Sequence, residues 1–147
     1  MTSQAEDAVR LTRKFNASPQ RLFDAWLDPD LAGKWLFTSA SSESHSTLID
    51  ARPGGAWAIT DRREGVDYTA VGQYLEIDPP RRLVFSFGMR QFSPILTSVI
   101  VEIAPDGEGS VLTLTQDGVG AGAESATKDG WLKMFEALEA LLARGEG

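Results

Sequence analysis

Residues 118–123, GVGAGA, spell a G-x-G-x-x-A turn between a strand-like and a helix-like stretch. In a dinucleotide site such glycines let the backbone close on a pyrophosphate at a helix N-terminus. That chemistry also needs a βαβ unit and an acidic residue beyond a second parallel strand. Here the turn runs into one final helix, so the glycines read as a flexible entry to it, and no cofactor is expected. His45, the 1 histidine of the chain, lies in the serine-rich stretch 39–46. A Ser–His–Asp arrangement could be drawn with Ser41, Ser42 or Asp50, but no G-x-S-x-G elbow presents a nucleophile, and His45 reads as a surface residue. With Cys 0 and His 1, and no carboxylates at ligand spacing, no metal site is expected. No residue is assigned a catalytic role.

The residues that could hold a ligand are apolar. Trp57, Tyr68, Phe85, Phe87, Met89, Trp131 and Phe135 are the expected lining of a pocket, from a wider aromatic set that includes Trp35 and Phe92. The bland alternative is a packed core. Three polar residues in the strands, Asp61, Arg90 and Gln116, could orient a ligand or act as acid and base.

These residues need elements to position them. Helical spacing is clearest at 125–144, where Trp131, Met134, Phe135, Leu138, Leu141 and Leu142 share a face opposite Asp129, Lys133 and Glu136. So apolar a face requires a large partner surface. Arg144 suits the negative helix end and Gly145 a left-handed stop. Strict alternation marks a first strand at 9–15. Ser18-Pro19 then supplies a cap and a first-turn proline for a short helix carrying Leu22, Phe23, Trp26 and Leu27. Asp28-Pro29 ends it and starts a second small helix, 29–35. From residue 37 the period is two, with strands expected at 47–51, 56–62, 68–77, 82–89, 97–104 and 110–116. Hairpin-length turns between them make the sheet antiparallel. The expectation is an α+β fold: about seven strands in a curved sheet wrapped around a long C-terminal helix, with two short helices between strands one and two. One domain, 1–147, is expected, with 1–7 a loose tail.

Composition narrows the function. A net charge of −7 and scattered basic pairs argue against nucleic acid. No apolar run is long enough for a membrane span, the N-terminus lacks a signal-peptide core, and a cytoplasmic location is the expectation.

Several runs together resemble the START-like, helix-grip (SRPBCC) superfamily. They are ASPQRLFDAW at 17–26 with Asp28-Pro29 and Lys34-Trp35, GGAW at 54–57, GQYLEIDPPRRLVF at 72–85, LTLTQ at 112–116, and Gly130-Trp131. Within it the chain is most similar to the branch named after the activator of heat-shock chaperone ATPase, over residues 9–143. The resemblance implies a sheet gripping the C-terminal helix, often around an apolar cavity, and does not imply one function. The expected function is non-catalytic binding of a small hydrophobic or amphipathic molecule, a lipid among the candidates, between sheet and helix. The alternatives are a partner module, as a chaperone accessory in stress response or as a homodimer, and a cyclase-, hydratase- or hydrolase-type enzyme.

Overall fold

The computed structural model describes residues 8–36, 44–89, 97–118 and 124–143. Its strands are β1 (Val9–Phe15), β2 (Ser44–Ile49), β3 (Ala56–Arg63), β4 (Val66–Asp78), β5 (Arg82–Met89), β6 (Thr97–Asp106) and β7 (Gly109–Asp117). They form one 7-stranded sheet in the order β1-β7-β6-β5-β4-β3-β2, every neighbouring pair antiparallel. Helices α1 (Pro19–Leu27) and α2 (Pro29–Ala32) lie between β1 and β2, and α3 (Glu124–Ala143) closes the described chain. This is the curved sheet and gripped helix that the periodicities predict.

Alternation decides what the sheet buries. Trp57 and Ile59 on β3, Leu83 and Phe85 on β5, Val99, Val101 and Ile103 on β6, and Leu112 and Leu114 on β7 all point inward and are buried. The helices cover that face. Ser18 caps α1 by accepting from the Arg21 N–H, and Leu22, Phe23 and Trp26 turn inward. Helix α3 buries Trp131, Phe135, Leu138, Leu141 and Leu142, with Met134 packed at the edge and Asp129, Lys133 and Glu136 exposed. Its last turn is tied down from α1, where Arg21 Nη2 donates to Leu142 O at 2.8 Å and satisfies a carbonyl with no helical partner. Gly145, expected to stop the helix, lies outside the described residues.

Five boundaries differ from the spacing by two residues or more, each for a local reason. Strand β2 begins at Ser44, inside the serine-rich stretch, because backbone pairing of Ser44–Ser46 to Arg62, Asp61 and Thr60 needs no apolar side chain. It ends at Ile49 because Asp50 enters a turn, with Asp50 N–H on Ala56 O and Gly55 N–H on Arg52 O. Strand β4 begins at Val66 because only Glu64 and Gly65 join it to β3, both at positive φ (52° and 77°), as a tight hairpin of primed type requires. Strand β6 runs through Pro105 to Asp106: the β5 pairing of β6 stops at Glu102, and no ladder bond on that side misses the proline N–H. Helix α2 is only Pro29–Ala32; Gly33 follows it, and a further turn, Leu36 N–H to Ala32 O at 2.8 Å, carries Trp35 and Leu36 inward.

Candidate functional site

Trp26 of α1 is the hub of the interior. Its ring meets Trp35 edge to face at 4.7 Å, Phe85 at 6.0 Å, Trp131 at 6.0 Å and Phe135 at 6.5 Å, linking both longer helices to the sheet. Trp35 Nε1 donates to Ala25 O and Trp131 Nε1 to Gln116 Oε1, whereas Trp26 Nε1 is buried with no acceptor among the described residues. A buried N–H left so costs about 1–3 kcal/mol. Trp26 also lines a small cavity, together with Leu36, Trp57, Tyr74, Leu83 and Phe85. Its volume of about 10 Å³ is roughly one water, so its walls must part to admit anything larger.

The cavity wall depends on a close approach. Trp57 lies across Gly72 of β4, donates from Nε1 to Ser86 O at 3.2 Å, and stacks on Phe87 at 6.3 Å with 13° between the rings. A Cβ on Gly72 would sit 2.7 Å from that Nε1 and 1.7 Å from Ser86 O. Only glycine lets the indole cross there. Next along β4 the ladder slips between Tyr74 and Glu76, a bulge that leaves Leu75 on the outside, 54% exposed, and holds Tyr74 against the cavity. Burial, and secondarily the Asp50 carboxylate, pushes the Tyr74 hydroxyl above its ordinary pKa of 10.0.

Besides Ser110, whose hydroxyl donates to Ala17 O, two buried polar groups stand on the inner face. On β7, Gln116 accepts from Trp131 Nε1 at 2.8 Å and donates to Thr97 Oγ1 at 2.9 Å, which donates on to Phe87 O at 3.2 Å. On β3, Asp61 is 2% exposed and stands beside Arg63, whose Nε lies 3.0 Å from Asp61 Oδ2. That contact is ionic only, since the Arg63 Nε N–H is not aligned on the oxygen and makes no hydrogen bond. The guanidinium carbon sits 4.2 Å above the Tyr68 ring centre.

Of the expected lining, Trp57 and Phe85 border the cavity, and Phe87 backs Trp57. Trp131 and Phe135 are packed into the centre of the core; Phe135 meets Phe15 at 5.7 Å and Trp35 at 6.4 Å. Tyr68 lies further along the sheet beneath Arg63. Met89 is placed by its backbone, opposite Ala70, and its side chain lies outside the described residues, as do Arg90, Phe92 and residues 119–123. His45 pairs through its backbone with Asp61 at the sheet edge. Asp61 and Gln116 are both buried, but β6, β5 and β4 lie between their strands, and the structure does not bring them together as an acid–base pair. Among the described residues no group of His, Asp or Glu could hold a metal ion. Sequence reasoning missed Tyr74, Trp26, Leu36 and Leu83 as lining. Tyr74 shares its strand parity with Tyr68, so the signal was there; a helical Trp26 reads simply as core.

No curated protein matches the chain. Among solved structures, a protein from Chromobacterium violaceum is 28% identical, with TM-score 0.80 over 92% of this chain and 96% of that one. A protein from Rhodobacter sphaeroides is 22% identical, with TM-score 0.81 over 99% of both chains. An AHSA1-like protein from Aeromonas hydrophila is 19% identical, with TM-score 0.79 over 94% of both. The last two show likeness of fold alone. The sequence model of the family described as activator of Hsp90 ATPase homolog 1-like protein matches residues 16–143, and by that match, over nearly the whole gripped-helix fold, the chain belongs to this family.

Proposed function

We propose that the protein binds a small hydrophobic or amphipathic molecule between the sheet and α3, without catalysis. The observation that carries this is Trp26, which lines an apolar cavity and whose indole N–H is buried with no acceptor among the described residues. A guest with a hydrogen-bond acceptor in an apolar body would satisfy that donor and bury its carbon surface against Trp57, Tyr74 and Phe85. Opening the walls costs packing energy, so affinity should be modest for small guests and rise with apolar area until the space is filled. Native mass spectrometry and dye displacement against lipids and aromatic metabolites test the reading, with indole fluorescence reporting on the cavity. Saturable one-to-one binding that shifts the Trp emission is expected. A single retained water and no binder across the panel would sink the reading.

A partner-binding role is favoured by a different observation. Strand β2 is an edge strand of uncharged residues, SHSTLI, with Leu48 67% exposed, and so lacks the charges that commonly block edge pairing. Light scattering, and a chaperone ATPase assay, separate that role from ligand binding.

A further inference from the structure

We infer that the guest is an uncharged carbonyl compound, a ketone or an ester, whose oxygen accepts from both the Tyr74 hydroxyl and the Trp26 indole N–H. The inference rests on the binding role proposed above and adds the class of the polar group.

Of the residues lining the cavity, Trp26, Trp57 and Tyr74 carry a side-chain donor, and Leu36, Leu83 and Phe85 offer only carbon. Trp57 has spent its donor on Ser86 O at 3.2 Å. The other two have not. The Trp26 N–H is buried with no acceptor among the described residues. Tyr74 is held through its backbone, its N–H on Gly55 O at 2.9 Å and its carbonyl accepting from Gly54 N–H at 2.7 Å. Its hydroxyl makes no hydrogen bond to a described residue. Both residues are core, 1% and 4% exposed, and a donor held there without an acceptor raises the free energy of the fold until a guest answers it. Their rings flank one neighbour, since the Phe85 ring centre lies 6.0 Å from that of Trp26 and 6.5 Å from that of Tyr74. Two donors bordering one small space call for an oxygen with two lone pairs, and a carbonyl has them.

The wall also sets the charge of that oxygen. No lining residue is ionised, because burial, and secondarily the Asp50 carboxylate, keeps the proton on Tyr74. A carboxylate guest would enter an apolar space with no cation in its wall, in the field of the same Asp50. An ammonium would set its own N–H groups against two donors and would lose its hydration as well. An alcohol adds a third donor to a wall that already has two. A ketone or ester brings acceptors alone, and its carbon surface meets Trp57 and Phe85.

The test titrates acetophenone, α-methylstyrene and benzoate, three probes of nearly one shape, into the labelled protein and follows it by NMR. In α-methylstyrene a C=CH₂ group replaces the carbonyl, and in benzoate an anionic oxygen replaces the methyl. With the wild type, acetophenone should move the Trp26 Nε1–Hε1 resonance further downfield than α-methylstyrene, which brings the same ring and no acceptor. Benzoate should bind about tenfold more weakly than acetophenone. In Tyr74→Phe, acetophenone should lose about fivefold in affinity, as one neutral hydrogen bond provides, and α-methylstyrene less than about twofold. The Trp26 readout on wild-type protein guards against a misfolded variant. Equal Trp26 shifts with acetophenone and α-methylstyrene, equal losses of the two in Tyr74→Phe, or benzoate as tight as acetophenone would each overturn the inference and leave the binding role standing. If none of the three binds, the inference falls and the binding role loses support with it.

Discussion

Tyr74 shows how one residue can report on the cavity beside it. Its phenol lines the space under Trp26, and burial first, then the Asp50 carboxylate, disfavours its ionised form. The folded pKa lies above the ordinary value of 10.0, so the folded state keeps its proton at a pH where the unfolded chain has lost it. Stability from this group is complete below about pH 10 and is lost as pH rises through the raised folded value. Tyr74→Phe removes the titrating group and little else. Urea unfolding of both proteins from about pH 9 to about pH 11 should show the wild type losing stability relative to Tyr74→Phe above about pH 10. Parallel curves would mean that the phenol is solvated and the wall around it open.

Between elements, a single polar relay ties α3 to the sheet. Trp131 donates to Gln116 on β7, Gln116 to Thr97 on β6, and Thr97 to a β5 carbonyl, so three strands and a helix share one chain of hydrogen bonds. Gln116→Leu leaves the Trp131 N–H buried without an acceptor and should cost about 1–3 kcal/mol. Trp131→Phe in the Gln116→Leu background should cost less than in the wild type, by about 1 kcal/mol in a denaturation cycle. Additive losses would show that the two residues stabilise the fold independently. The sequence made the elements legible and their polar joints illegible. Period-two and helical spacing located every described strand and helix, because burial of one face imposes those periods. Gln116 was visible as a polar residue among inward Leu112 and Leu114, but its partner 15 positions later was not, since nothing local records a contact across a turn and a helix. Ser44–Ser46 fell before the strand expected at 47–51 for the complementary reason: an edge strand can be held by backbone bonds alone.

For the molecule as a whole the question is how far packing and binding can be separated. The aromatic set reads in sequence as one group, yet the structure divides it. Phe15 is 3% exposed and meets Phe135 edge to face, at the centre of the sheet–helix contact. Phe87 is half-buried and stacks on Trp57, beside the cavity. No spacing rule distinguishes them, because both alternate inward on their strands; only the position of α3 over β1 and the crossing of Trp57 over Gly72 does so. The division predicts opposite consequences. Phe15→Ala opens a hole in the core and should cost about 3–5 kcal/mol, with ligand affinity in the surviving folded fraction nearly unchanged. Phe87→Ala should cost about 2 kcal/mol, because less area is lost, yet should weaken ligand binding about tenfold by letting Trp57 tilt out of the wall. Chemical denaturation and calorimetric titration on the same two variants measure both axes. If affinity falls in proportion to stability in both, Phe87 is simply another core residue and the ligand sits elsewhere on the inner face. If the two axes separate, the end of the fold around Trp57 binds while the end around Phe135 holds the sheet to its helix.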